Sequence, residues 1–399
     1  MMSAPAAAKI MEWLEQREPE MLSLLERIVR INSHTPNKAG VDAVGAVMTE
    51  VMHDMDFDVE VHVQGEVGDN LVARNAAARS LAPDARQVLF CGHMDTVFPD
   101  DGSFDCFERS EKRVIGPGIV DMKGGLVVGI YALKALAETG LLEQMPVAFI
   151  FNSDEETGSY QSRDLVMDEA RKSAFAMVFE CAGLEGETTT GRKGKTTFKL
   201  KALGQAGHAG NLSGPKPTAI LELAHKTVAL EALNDPARDV SVNVGLVSGG
   251  LGPNTIAPSA EAVVECRYRN ASDADGLIAA VTAMTTSPDV LGTTLEVEVI
   301  PGRPPMEQTA ANRKLFDFVR ETGTGLDVPV KEDFRGGVSD ANYIAHVGCP
   351  VIDGMGPIGA GDHSPKEFMV IESLVQRAAL TAVALERLWA EYDRGNLFG

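Results

Sequence analysis

The chain is expected to be an α/β protein, with a mainly parallel sheet covered by helices on both faces and a ferredoxin-like α+β block inserted into it. Three observations lead there. Short apolar runs alternate with helical stretches between residues 58 and 180 and again after 305, the rhythm of a parallel sheet with crossover helices. Residues 195–301 break that rhythm and read β-α-β-β-α-β. At 399 residues the chain also exceeds what one ordinary core holds. The boundaries expected are 1–193 and 305–399 for the two parts of the α/β domain, with 194–304 as the insertion.

Taken in order, residues 6–31 repeat apolar positions such as Leu22, Leu25, Ile28 and Val29 at helical spacing. A helix is expected over 42–56, and residues 59–63 then switch to the period of two of a strand. Residues 70–73 and 88–91 are short apolar runs suited to strands buried on both faces, and the second leads into Gly92-His93-Met94-Asp95-Thr96-Val97. A loop rich in Gly and Pro, 116–125, precedes a helix over 126–138. Strand 147–151, a helix, and strand 175–179 ending at Glu180 follow. The insertion reads as strands over 196–203, 240–247, 260–269 and 295–300, with helices over 218–233 and 274–285. Beyond Arg303-Pro304-Pro305 come a helix near 312–322, the Gly-rich turn 335–340 opening another, strand 350–352, and Gly361-Asp362-His363-Ser364 before a long last helix.

Composition narrows the function classes. A formal charge of −21 argues against nucleic acid or an anionic membrane as partner, because either selects a basic surface. No apolar stretch approaches the roughly 20 residues of a membrane span. The N-terminal stretch Met1-Met2-Ser3-Ala4-Pro5-Ala6-Ala7-Ala8-Lys9 lacks the apolar centre of a secretory signal, so a cytoplasmic location is expected. Five cysteines, odd in number and scattered without paired spacing, are expected to be reduced and mostly packed.

The stretch that organises the chemistry is Phe151-Asn152-Ser153-Asp154-Glu155-Glu156-Thr157-Gly158-Ser159, which places adjacent carboxylates after a buried strand, at the sheet edge where open α/β folds assemble their sites. His93, Asp121, Glu156, Glu180 and His363 all lie just past expected strands or in loops that open helices. Any one alone suits a cap or a solvated turn. Together, two imidazoles and three carboxylates suit zinc, with cobalt or manganese as substitutes. Five ligands exceed one tetrahedral ion, so a pair of divalent ions sharing a carboxylate is expected, with a net positive charge left to stabilise a bridging hydroxide.

His93-Met94-Asp95-Thr96-Val97, Gly118-Ile119-Val120-Asp121-Met122-Lys123-Gly124-Gly125, Asp154-Glu155-Glu156-Thr157-Gly158-Ser159, Gly207-His208-Ala209, Ser339-Asp340-Ala341 and His363-Ser364 with Glu367 resemble, in order, the motifs of the dinuclear zinc peptidases. That family holds glutamate carboxypeptidase, acetylornithine deacetylase, succinyl-diaminopimelate desuccinylase and peptidase T. The resemblance covers nearly the whole chain. It implies two Zn2+ per chain, Asp121 bridging them, Glu156 and His363 completing one site, and His93 and Glu180 the other. It implies Glu155 as the general base that passes a proton to the leaving nitrogen, Asp95 orienting His93, and a cis peptide between Asp121 and Met122. In the insertion it implies a homodimer in which His208 polarises the scissile carbonyl at the partner's site. Asn254 is implied as a substrate contact and Arg303 as the grip on a terminal carboxylate; Arg267 either assists or serves structure.

The activity expected is hydrolysis of an amide bond beside a free carboxylate, on a small molecule or short peptide, closest to glutamate carboxypeptidase. An N-acyl-amino-acid deacylase with the same ions is the nearest rival. A non-catalytic metal-binding scaffold is the third reading, against which Glu155 stands, because a scaffold needs no base. Cys181-Ala182 after Glu180 departs from the proline of several relatives, and residues 184–195 match no glutamate-binding set.

Overall fold

The structure is a computed structural model that describes residues 4–211 and 214–398; the first three residues of the N-terminal stretch lie outside it. The chain divides into two compact units, one of Met1–Gly191, Gln308–Phe334 and Ser339–Gly399, the other of Arg192–Glu307 with Arg335–Val338.

The first unit holds a six-stranded sheet in the order Asp58–His62, Asn70–Arg74, Val147–Asn152, Gln87–His93, Ser173–Val178, Val351–Ile352. Its last four strands run parallel. The first two form an antiparallel edge that the alternation of elements did not announce. Strands Gln87–His93, Val147–Asn152 and Ser173–Val178 are buried along their whole length, as expected of strands covered on both faces. Phe90, Phe149, Phe151 and Phe179 stack edge to face and face to face between the sheet and the helices, with centroids 4.2 to 5.7 Å apart. Helix Gly124–Glu138 is apolar on nearly every side and runs through this core beside the closing helix Ile371–Asp393.

A second sheet of the first unit matters more for the site. Gly359–Ala360, Phe368–Val370, Arg113–Ile115 and Glu108–Arg109 pair antiparallel in that order, with Ala360, Phe368 and Ile115 in register. Loops 361–367 and 116–121 therefore leave this sheet at one end. None of these strands was expected from the sequence, since two or three residues cannot display a period of two.

The second unit is the ferredoxin-like fold expected. Strands Gly194–Leu203, Ser241–Gly249, Ser259–Tyr268 and Thr294–Pro301 form an antiparallel sheet with the first and third adjacent at its centre. Helices Ala219–Glu231 and Ala271–Ala283 supply residues to its core with Phe198, Leu200 and Val264. Strand Ser241–Gly249 is an edge strand and leaves Leu246 and Val247 more than half exposed, at 67% and 61%. Among the described residues no helix is long and apolar enough to cross a membrane.

Candidate metal centre

Because the central strands of the first unit run parallel, their carboxyl ends share one edge. His93 ends strand Gln87–His93 in register with Asn152, after which the chain turns through Glu155–Thr157; Glu180 lies just past strand Ser173–Val178. Asp121 arrives by the loop from the smaller sheet. Gly118, at φ 67°, turns that loop, and the Asp121–Met122 peptide is cis, as the resemblance implies. The following helix begins hard against the strand end. A Cβ at Gly125 would stand 1.9 Å from the Phe179 carbonyl oxygen, so only glycine lets the Asp121 loop approach Glu180 this closely. His363 sits at φ 59° in the turn 361–367.

The five side chains read as ligands come together around Asp121. Its Oδ1 is 3.1 Å from His93 Nε2 and its Oδ2 is 3.3 Å from His363 Nε2. His363 Nε2 also lies 3.1 Å from Glu156 Oε2, and His93 Nε2 lies 3.9 Å from Glu180 Oε1. Glu155 joins the cluster: ligand atoms of His93, Glu155 and Glu180 fall within 4.8 Å of one another, as do those of His93, Asp121 and Glu156.

The electrostatics are those of a site short of positive charge. Burial, reinforced by the charge of Asp121, pushes the Glu156 carboxyl up to about 7 despite its hydrogen bond from His363. Burial and Asp121 also raise Glu180 well above the usual carboxylate range. Hydrogen bonds to Asp121 and Glu156 raise His363 to about 11. Burial disfavours the His93 imidazolium, yet hydrogen bonds to Asp121 and Asp95 outweigh it and raise that pKa too. For Asp121 burial opposes ionisation, and the two imidazoles override it and hold the carboxyl below its ordinary value. Protons here do the work that cations would do.

Two details fit divalent ions. Glu156 Oε1 is buried and has no hydrogen-bond partner among the described residues, an orphaned acceptor that a cation would satisfy. His93 Nδ1 donates to the Asp95 carbonyl at 2.9 Å, which leaves Nε2, facing Asp121, as the nitrogen available to a metal.

Asp95 does more than the sequence suggested. Its carboxylate accepts from the backbone N–H of Glu155 and of Glu156, both at 3.2 Å, and from the Thr35 hydroxyl at 2.7 Å. It therefore ties the strand end bearing His93 to the turn bearing both glutamates. The far side of that turn is held by Asp340, which accepts from Ser159 Oγ at 2.5 Å and Asn152 Nδ2 at 2.6 Å, and by Asp154, which accepts from Gln161 N and Ser162 Oγ. Nothing in the sequence marked Thr35; Asp340 lay in a recognised motif without a role.

The remaining candidates lie in the second unit, in two groups. His208 and Asn254 lie on neighbouring segments: Gly207–His208 pairs with Thr255–Ile256, and the Ala209 N–H donates to the Asn254 carbonyl. Arg267 and Arg303 flank Lys195, the first paired with it in register, the second accepting its N–H through the backbone carbonyl at 2.8 Å. Arg303 is buried, and Arg267 bonds Glu265 and the Gly336 carbonyl. The first group adjoins Leu203 through the Gly204 N–H to the Pro258 carbonyl. Lys195 and Leu203 are eight residues apart along one strand, about 26 Å at roughly 3.3 Å per residue. Asn254 thus lies beside His208 along the backbone, beyond the other end of that strand from Arg303.

This arrangement of two imidazoles and four carboxylates at a parallel sheet edge lies within a match to peptidase family M20/M25/M40 spanning residues 89–387. The chain belongs to that family. It is similar to carboxypeptidase G2 of Pseudomonas sp. (29% identity, covering 92% of this chain and 88% of the relative) and to succinyl-diaminopimelate desuccinylase of Thiobacillus denitrificans (27%, covering 94% and 96%). In fold it matches the crystal structure of aminopeptidase PepT from Bacillus cereus, with a TM-score of 0.76 at 20% identity over 92% of this chain and 98% of that one. As a member of the M20 family the chain is a metallohydrolase.

Metal uptake by this M20 centre should release protons, because ligands bind deprotonated while Glu156, Glu180 and both histidines hold their protons unusually tightly without metal. Calorimetry in buffers of different ionisation enthalpy should show more protons released at about pH 6 than at about pH 8, and apparent affinity rising over that interval. Affinity independent of pH would contradict the ligand assignment.

Proposed function

We propose that the chain hydrolyses an amide bond beside a free carboxylate, as a glutamate carboxypeptidase does, using two divalent ions, zinc first among them. The observation that carries this reading is Asp121 lying between His93 and His363 with Glu155, Glu156 and Glu180 in the same cluster. Asp121 would be shared by both ions, Glu156 and His363 would complete one site, and His93 and Glu180 the other. Bound there, such ions would acidify water and polarise the substrate carbonyl.

The chain's own residues account for the rest. Glu155, beside the ligands but not needed to complete either site, is the group that would take a proton from water and deliver it to the leaving nitrogen. Asp95 holds the Glu155 backbone and the His93 ring in one frame, so base and ligand keep their spacing. Arg303, with Arg267 beside it, suits a substrate carboxylate, since a guanidinium meets a carboxylate bidentately. His208 would donate to the carbonyl oxygen as negative charge develops on it.

The separation within the second unit supports a dimer in which His208 and Asn254 serve the partner's substrate. A scissile carbonyl and its neighbouring terminal carboxylate lie about one residue apart, near 3.8 Å, far less than the length of the strand between Arg303 and His208. The outer edge of strand Ser241–Gly249, which has no strand beside it among the described residues, offers a two-fold contact. A second reading, N-acyl-amino-acid deacylase, is supported by the desuccinylase relative and by the N-acetyl-L-citrulline deacetylase of Xanthomonas campestris at 29% identity. A cytoplasmic location remains part of the proposal.

Incubating the zinc-loaded protein with mixed dipeptides and N-acyl amino acids, and identifying released amino acids by mass spectrometry, should show release from peptides ending in an acidic residue. Glu155→Gln should lower turnover at least about 10²-fold with metal content unchanged. Release from acyl amino acids alone would favour the deacylase reading, and full activity of the variant would remove Glu155 from the mechanism.

Mixing the inactive Glu155→Gln chain with an inactive His208→Ala chain, under conditions of subunit exchange, should restore one competent site per heterodimer. Demonstrated heterodimers without activity would contradict cross-chain catalysis.

A further inference from the structure

We propose that Glu367 is a positioning residue that fixes Asp121 and His363 relative to each other before any ion binds. Its carboxyl is fully buried and is turned to the loop carrying Asp121: Oε1 accepts from the N–H of Val120 at 2.8 Å and of Asp121 itself at 3.1 Å, and Oε2 from the N–H of Gly118 at 3.0 Å. The main chain adds a fourth link, the Gly116 N–H to the Glu367 carbonyl at 3.4 Å. Glu367 also closes the turn holding His363, because its own N–H donates to the Ser364 carbonyl at 3.0 Å and the Ser364 N–H to that of Gly361 at 3.1 Å. One side chain thus joins two loops, from the neighbouring strands Phe368–Val370 and Arg113–Ile115 of the smaller sheet, whose tips carry side chains that meet at 3.3 Å.

The need for such a clamp follows from what each loop lacks. The N–H groups of Gly118, Val120 and Asp121 are turned to the Glu367 carboxylate, and buried N–H groups require acceptors. His363 has a side chain 56% exposed, so packing does not hold its ring. Without Glu367 the Asp121 carboxylate and the His363 imidazole would each keep their chemistry but lose their mutual distance. Partners that orient ligands in this manner are worth about 10 to 100-fold in metal affinity.

The proposal rests on the ligand reading only in taking Asp121 and His363 as ligands. Glu367→Gln leaves one acceptor oxygen and turns an amide N–H2 towards a backbone N–H, whereas Glu367→Ala leaves none. The reference is Glu169→Gln, which removes the charge and one acceptor oxygen of a buried carboxylate bonded to Arg74, Lys172 and Gln87, away from the centre. Zinc affinity of the full chain, by chelator competition, should fall about tenfold in Glu367→Gln and further in Glu367→Ala, while Glu169→Gln loses thermal stability and keeps wild-type affinity. Wild-type affinity in both Glu367 variants would overturn the proposal. Should the alanine variant not fold, amide hydrogen exchange of the metal-free wild type decides: Gly118, Val120 and Asp121 should already be protected, and free exchange there until zinc is added would overturn the clamp. A wild type that takes up no zinc would refute the ligand reading, and the exchange result would still judge Glu367.

Discussion

A carboxylate held between two imidazoles is the constraint on which the rest of the first unit depends. Asp121 meets His93 and His363 while Glu156 and Glu180 crowd the same buried space. Like charges at this spacing in a poorly solvated site repel strongly, so the arrangement persists only with protons or cations among them. The fold supplies the geometry from two directions. Parallel strand ends bring His93, Glu156 and Glu180, and the small antiparallel sheet brings Asp121 and His363. Gly125 lets the helix that follows the Asp121 loop start against the Phe179 carbonyl, one residue before Glu180.

Acidic residues around the cluster then anchor the turns that carry it. Asp95 receives the N–H groups of Glu155 and Glu156, Asp340 receives Ser159 and Asn152, and Glu367 receives the loop of Asp121. Each replaces a flexible turn by one with a defined exit direction. Long side chains such as glutamate can then hold proton or metal positions that loop motion would otherwise blur.

Much of this was legible in the sequence because strand ends announce themselves. Buried parallel strands are short apolar runs, and polar residues directly after them, as in Gly92-His93 or Phe179-Glu180, have one edge to occupy. The ferredoxin-like block was legible for the same reason, each strand being long enough to show its period. Strands Arg113–Ile115 and Phe368–Val370 were not, since three residues carry no periodic signal and their pairing spans more than two hundred positions. The grouping of Asn254 with His208 was likewise hidden. It depends on a two-residue pairing of Gly207–His208 with Thr255–Ile256, and no local pattern encodes a partner that far along the chain. Thr35 and the acceptor role of Asp95 were invisible because backbone N–H groups leave no mark in a sequence.

The central claim, that Asp121 is shared by two ions, is tested most directly by anomalous diffraction from zinc-soaked crystals, with data on both sides of the zinc edge. Two zinc peaks are expected on either side of the Asp121 carboxylate, one against His93 and Glu180, the other against His363 and Glu156. A single peak, or peaks that leave Asp121 without a metal contact, would contradict it.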